Sequence, residues 1–381
     1  MRRVRRGLLV LVLLGTGCTL HPLPKPVVAA CPALDVAHFW NCISDIPRPA
    51  RMESGFRSTV RAASIVRKSK DQDAGSACDG DAPPGFTLLN GISVGGEHPP
   101  LHALFAPPTE LQPIVIVVHG LFDSKLSRYV WITADLLRRE GFGVLAPDMR
   151  WHGCLLARAW LPTLGIREGG DLVAWAVWLR REHPGHPIGL VGFSLGGLAV
   201  LHALGEPEAA DVFDAGVIAV SPAAALPRTA AALDSKAFFL DSGFTPVLRW
   251  SFRHYLRQRL KPLSVREQGG VFASFLQWLA GQDPVGSGVT VEEFLKLADP
   301  APMVAASRRP VLILTASNDP IISMAGSVDL TLATRQNGYA RVIETPFGGH
   351  IGQPGLYPEW MSALLATFFR LAPAVPHGPV P

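Results

Sequence analysis

Ser194 sits in the string Val191-Gly192-Phe193-Ser194-Leu195-Gly196-Gly197, between an apolar run from Ile188 to Val191 and the helix-forming run Leu198 to Leu204. A serine on a sharp strand-to-helix turn exposes its hydroxyl, and the unpaired N–H groups of the helix start lie beside it. The turn strains the serine backbone, so the positions two before and two after must be small; Gly192 and Gly196 meet that need. Serine is a poor nucleophile at neutral pH. It needs a base, and the base needs a partner that fixes its tautomer. Asp319, in Asn318-Asp319-Pro320, and His350, in Gly348-Gly349-His350, supply those groups downstream. Asp148 is a competing acid, whose expected role is to organise its own loop through Arg150 and His152. A tetrahedral intermediate carries a negative oxygen that two backbone N–H groups should stabilise. Leu195, next to the serine, offers one and Leu121, in the loop after Val118, the other, with Gly120 letting the backbone approach. His119 reads as structural rather than as a second base.

Each of these groups must stand at the end of an element. Ile114 to Val118 is a continuous β-branched run, as expected for a strand buried on both faces of a parallel sheet. Gly143 to Ala146, Ile188 to Val191, Val217 to Val220, Val311 to Leu314 and Arg341 to Glu344 follow as further strands. Phe86 to Leu89 and Leu101 to Phe105 are candidate early strands. Tyr129 to Glu140, stopping at Gly141, Glu168 to Glu182, and Trp360 to Arg370 have helical spacing. Strand–helix alternation predicts an α/β fold, a mostly parallel sheet with helices on both faces. Open sheets of this kind place their sites at the strand C-terminal ends, where Ser194, Asp319 and His350 all fall.

The alternation breaks between 225 and 305. Helical stretches at Pro246 to Leu260, Gly270 to Ala280 and Val291 to Ala298 are not followed promptly by a strand. The expected organisation is a core in two parts, 86–224 and 306–372, with a helical cap over 225–305. Residues 1–17 form a leader, 18–85 a tether and a loose N-terminal extension, and 373–381 a disordered tail.

Gly192-Phe193-Ser194-Leu195-Gly196-Gly197, continuing to Leu204-Gly205-Glu206, resembles the elbow helix of the α/β-hydrolase superfamily, in particular its YheT-like (AB hydrolase 4) group. His119-Gly120 with Ser124, Ser127 and Tyr129, then Ala219-Val220-Ser221-Pro222, Asn318-Asp319-Pro320 and Gly348-Gly349-His350-Ile351-Gly352 agree with it, over about Leu101 to Arg370. The resemblance implies the α/β-hydrolase fold, the chain order Ser, Asp, His, and hydrolysis of carboxylic esters, with some members acting on lipids. Trp151-His152 departs from the Arg-Gly pair common at that place, and the leader and long cap are also atypical. The resemblance therefore implies the mechanism more firmly than the substrate.

Composition narrows the partners. The formal charge is +4, but Arg2, Arg3, Arg5 and Arg6 lie in the first six residues; without 1–17, 31 basic residues face 31 acidic ones. Nothing supports nucleic-acid binding. Those arginines, with the apolar run Leu8 to Leu14 and Gly15-Thr16-Gly17-Cys18, read as an export signal ending in a lipobox-like cysteine. The expectation is an exported lipoprotein of the bacterial outer membrane or cell envelope, anchored through a lipid on Cys18 and facing the periplasm. The outer-membrane destination is what the resemblance to bacterial lipoproteins implies, since Thr19 and not a charged residue follows Cys18. An ordinary signal peptide or a non-cleaved anchor are the alternatives. Cys31, Cys42, Cys78 and Cys154 permit two disulfides in such a compartment. Cys31–Cys42 is the preferred pair by closeness, leaving Cys78–Cys154; buried thiols are the alternative. No metal-ligand spacing of the Cys-x-x-Cys kind occurs, and the chemistry calls for no cofactor or metal.

The cap carries the evidence on substrate. Trp250, Phe252, Tyr255, Leu256 and Leu260 lie among Arg249, Arg253, Arg257, Arg259 and Lys261, reading either as a lipid-facing basic amphipathic helix or as an ordinary cap helix with a solvated basic face. Phe272, Phe275, Leu276, Trp278 and Leu279 suit either an acyl-chain lining or cap-to-core packing. The leading reading is a serine hydrolase acting on a small-molecule or lipid ester. An acyltransferase on the same residues and a non-catalytic surface lipoprotein remain as alternatives.

Overall fold

The computed structural model describes residues 35–48, 78, 82–155, 160–224, 226–234, 253–254, 257, 265–266, 270–283, 285–286, 288–319, 321–322, 328–346 and 348–372. The leader, Cys18, the tether, Cys31, nearly all of the expected helix Pro246 to Leu260, and the tail lie outside the described residues.

Helix α1 (Val36–Ser44) comes first. Strands β1 (Thr87–Ile92), β2 (Leu101–Ala106) and β3 (Ile114–Val118) lead to helix α2 (Arg128–Arg139). Strand β4 (Gly143–Pro147), helix α3 (Ile166–Glu182), strand β5 (Ile188–Phe193) and helix α4 (Leu195–Ala203) follow. After the short helix α5 (Ala209–Val212) and strand β6 (Val217–Val220), helices α6 (Leu226–Asp234), α7 (Val271–Gly281), α8 (Val291–Leu297) and α9 (Ala301–Ala306) precede strand β7 (Val311–Ala316). Helix α10 (Val328–Gln336), strand β8 (Ala340–Thr345), helix α11 (Gln353–Leu356) and helix α12 (Pro358–Leu371) complete the order.

The eight strands form one sheet in the order β1-β2-β4-β3-β5-β6-β7-β8. β1 with β2 and β2 with β4 are antiparallel; every later pair is parallel. Alternation along β3 shows why its β-branched run was needed. Ile114, Ile116 and Val118 face a core shared with α3, α4 and the helices after β6, while Val115 and Val117 face a second core shared with α1, α2 and α12. All five side chains are buried, and each contributes roughly 1.5–3 kcal/mol by leaving water.

Local sequence sets where elements stop. At the end of α2, Gly141 takes φ +87°; its N–H donates to Arg138 O (3.0 Å) and that of Phe142 to Leu137 O (3.1 Å). This pair of bonds closes the helix, and only glycine takes that backbone without strain.

The N-terminal extension is less loose than expected. Phe39, Trp40 and Ile43 of α1 are buried. The Phe39 ring meets Phe368 of α12 edge-on at 5.4 Å, and the Trp40 indole N–H donates to Gly338 O at 3.0 Å. An amphipathic turn of helix here covers apolar surface that α12 would otherwise leave wet. Cys78 and Cys154 form a disulfide with Cα atoms 5.4 Å apart. Cys42 is also disulfide-bonded; its expected partner Cys31 lies outside the described residues.

Candidate active site

Strand β5 delivers Ser194 to the sheet's C-terminal edge and α4 starts on the next residue. Ser194 has φ 55° and ψ −113°, a strained backbone for a residue with a side chain. The turn tolerates nothing larger than glycine around it. A Cβ on Gly192 would stand 2.1 Å from Gly196 O, and one on Gly196 would stand 2.3 Å from His119 O. The second clash shows that the loop after β3 lies against the elbow. A Cβ on Gly120 would stand 3.3 Å from Ser194 Cβ, so the two loops touch.

His350 Nε2 lies 3.0 Å from Ser194 Oγ, and His350 Nδ1 lies 2.9 Å from Asp319 Oδ2. The Asp319 side chain is fully buried and that of His350 is 11% exposed. Asp319 Oδ1 accepts the N–H groups of Ile321 (2.8 Å) and Ile322 (2.9 Å), which fixes the carboxylate plane and leaves Oδ2 for the imidazole. Asn318 Oδ1 accepts the N–H of Gly349 at 2.8 Å, tying the loop after β7 to the loop after β8. The three residues expected to act together are thus brought into one hydrogen-bonded line, although 156 positions separate serine from histidine.

Leu195 opens α4, where an N–H has no partner within the helix. Gly120 N–H donates to the Tyr129 hydroxyl (2.7 Å), so the next N–H of that loop belongs to Leu121. Among the described residues neither the Leu195 nor the Leu121 N–H makes a backbone hydrogen bond. Both residues line the cavity that also contains Ser194 and His350. Leu164, Leu226, Phe272, Ile321 and Ile322 make much of its wall apolar, and Asp123 and Thr229 add polar groups.

His119 is structural, as expected. It is fully buried, and its Nδ1 meets Gly120 O at 2.8 Å while Nε2 accepts the Met149 N–H at 3.0 Å. Burial pushes its pKa down to about 4, so the ring is neutral with its proton on Nδ1. Asp148 corrects one expectation. It organises its loop, but not through Arg150 and His152. It accepts the Lys125 ammonium (2.6 Å), the Lys125 N–H (2.9 Å) and the Cys154 N–H (3.1 Å). Arg150 instead makes two bonds to Asp171 of α3, at 2.7 and 2.6 Å. A lysine that is 0% exposed needs a carboxylate, and Asp148 is the carboxylate within reach.

Among the described residues, of Phe272, Phe275 and Trp278 it is Phe272 that lines the cavity. Phe275 packs on Trp151 (6.5 Å, 15° between planes) and on Trp278 (6.3 Å), fastening α7 to the loop after β4. Trp151 occupies positive φ (62°), and its ring lies 6.5 Å from that of Phe275 and 6.4 Å from that of Trp278 in that helix.

A family model described as the alpha/beta hydrolase fold matches residues 113–354, more than half of the chain. The chain belongs to the α/β-hydrolase fold family. Among curated proteins, this α/β-hydrolase is 24% identical to a monoacylglycerol lipase of Saccharomyces cerevisiae over 69% of this chain and 60% of the lipase. It therefore spans only 60% of that lipase's length. It is 33% identical over 118 residues to the sn-1-specific diacylglycerol lipase ABHD11 of Xenopus tropicalis, covering 31% of this chain and 34% of that one. Among solved structures, the Pyrococcus furiosus esterase Pf2001 superposes with a TM-score of 0.52 at 18% identity, covering 76% of this chain and 94% of the esterase. At that identity the likeness shows the fold. No helix among the described residues is long and apolar enough to cross a membrane.

Two residues of the site carried no signal of their own in the sequence. Asp123 and Lys125 are polar residues in a loop, bonded to Tyr129 of α2 and to Asp148 after β4. Asn318 and Tyr129 stood out only as parts of motifs.

Proposed function

We propose that this α/β-hydrolase cleaves carboxylic esters through an acyl-enzyme on Ser194. The observation that carries the reading is the unbroken line Ser194 Oγ, His350 and Asp319, with contacts of 3.0 and 2.9 Å. His350 Nε2 takes the Ser194 proton as Oγ attacks the ester carbon. Asp319 holds the proton on Nδ1 and stabilises the imidazolium that forms. The N–H groups of Leu195 and Leu121 receive the oxyanion. Collapse of the intermediate expels the alcohol, which leaves with the proton from His350 Nε2. Water, deprotonated by the same nitrogen, then releases the acid and restores Ser194.

The substrate class we infer is an ester with an apolar acyl group, lipid esters included. The apolar wall around Ser194 supports this, as do the names of the two lipases to which the chain is similar. The YheT-like motifs around Ser194, Asp319 and His350 agree with the same chemistry. Export, with attachment to the cell envelope through Cys18, is the proposed setting and rests on the first 18 residues.

The test compares short p-nitrophenyl esters as substrates for the parent enzyme and Ser194→Ala. The substitution is expected to lower kcat by at least about a thousandfold with the fold intact. Turnover that survives it contradicts the reading.

A further inference from the structure

The loop that offers Leu121 is a tight turn from Gly120 to Asp123, closed by a bond from the Asp123 N–H to Gly120 O at 3.3 Å. Phe122, its third residue, has φ 60°. Turns of this shape ordinarily place glycine or asparagine there, so something must hold a bulky residue in that conformation.

What holds it is Tyr129, in the first turn of α2. Its hydroxyl accepts the Gly120 N–H at 2.7 Å and donates to Asp123 Oδ2 at 2.8 Å. One hydroxyl therefore bridges both ends of the turn, using its one proton and one lone pair. The Tyr129 ring is fully buried and meets Phe193 edge-on at 5.0 Å. Phe193 directly precedes Ser194, so the same side chain is registered against the nucleophile's strand and against the loop facing it.

We infer that Tyr129 is a positioning residue for the oxyanion hole: its hydroxyl clasps Gly120 and Asp123 and so aims the Leu121 N–H at the carbonyl oxygen of an ester bound at Ser194. The inference rests on the proposed hydrolase reading and names a device within it. The clasp acts twice. It occupies the Gly120 N–H, which would otherwise compete as a poorly placed donor. It also stops the strained turn from relaxing, a change that would swing the Leu121 peptide away. Burial, with the Asp123 charge beside it, raises the Tyr129 pKa well above its usual value of 10.0, so the donor persists at working pH. Tyr129 touches no reacting atom, and a hole of fixed geometry stabilises the transition state more than the ground state.

The test is Tyr129→Phe, which keeps the ring and removes the clasp. Direct loss of an oxyanion donor costs about a hundred- to a thousandfold in kcat, so misaiming one is expected to cost roughly ten- to a hundredfold, with KM within about twofold. An aryl boronic acid, whose adduct on Ser194 mimics the tetrahedral intermediate, should lose affinity by a similar factor. Amide hydrogen exchange at Gly120 should accelerate while thermal unfolding changes little. If Tyr129→Phe does not yield folded protein, Asp123→Ala removes the other end of the clasp and should show the same fall in kcat and in boronic acid affinity. The role is overturned if kcat and boronic acid affinity stay within about twofold of the parent. It is equally overturned if they fall only as far as the folded fraction falls. A parent enzyme whose turnover survives Ser194→Ala contradicts the hydrolase reading instead, and Gly120 exchange still reports whether the clasp exists.

Discussion

Asp319 shows how much one carboxylate can fix. Its two oxygens have different tasks: Oδ1 accepts two backbone N–H groups and Oδ2 faces His350 Nδ1. In Asp319→Asn, the amide oxygen would keep the two backbone donors and turn the NH₂ group onto His350. The imidazole would then present a lone pair at Nδ1 and carry its proton on Nε2, the wrong tautomer for taking the Ser194 proton. Steady-state kinetics are expected to show kcat reduced by roughly 10³- to 10⁴-fold with KM little changed. A loss smaller than about tenfold would mean that this carboxylate does not set the tautomer. Ser194 and its two glycines were legible because their constraint is local: a Cβ at position 192 or 196 collides within the turn or with the loop beside it. His350 and Asp319 were legible by chain order. Tyr129 and Asp123 were not legible as a pair with a task, because a clasp depends on a turn conformation that no motif announces. The Asp148 expectation went to near neighbours in sequence, Arg150 and His152, whereas burial selects the partner, and the buried lysine is 23 positions away.

The elements are loops' supports, and their ends carry the site. The strands fell on the apolar runs read in the sequence, β7 and β8 running a residue or two beyond the expected ends because backbone pairing continues to Ala316 and Thr345. Helix α3 starts earlier than its spacing suggests, at Ile166, because Glu168 turns back to accept the Thr163 and Gly165 N–H groups. The same helix is tied to its neighbours by Asp171, which binds Arg150 after β4 and His98 before β2, the latter at 2.9 Å. The hydrogen bond to Asp171 raises the His98 pKa above 6.5. A base whose pKa is raised on folding adds stability that is complete below 6.5 and is lost as pH rises through the folded value. His98 is a third exposed, so solvent screening keeps the effect below about 1 kcal/mol. Comparing urea midpoints of the parent and His98→Gln, the parent's advantage should be larger at about pH 5.5 than at about pH 8.5. Equal differences at both would show that the pair is not a charged one in the folded protein.

At the scale of the molecule, the sheet order places the candidate site's loops on one edge. The loops after β3, β5, β7 and β8 carry Leu121, Ser194, Asp319 and His350 in turn, and parallel pairing brings their C-terminal ends together. This much follows from alternation and chain order, and it was readable. What surrounds the site was less so. Helix α7 divides its aromatic residues between the cavity and the core, which periodicity alone does not resolve. The N-terminal extension keeps one helix packed through Phe39 and Trp40, and the Cys78–Cys154 disulfide joins it to the loop carrying Trp151. The central claim is that Ser194 is the nucleophile. The most direct measurement treats the protein with a fluorophosphonate probe and locates the adduct by peptide mass spectrometry while hydrolysis is followed. One adduct on Ser194, forming in step with loss of ester turnover and absent from Ser194→Ala, is the predicted result. Labelling that survives the substitution, or turnover that persists after Ser194 is fully modified, would contradict it.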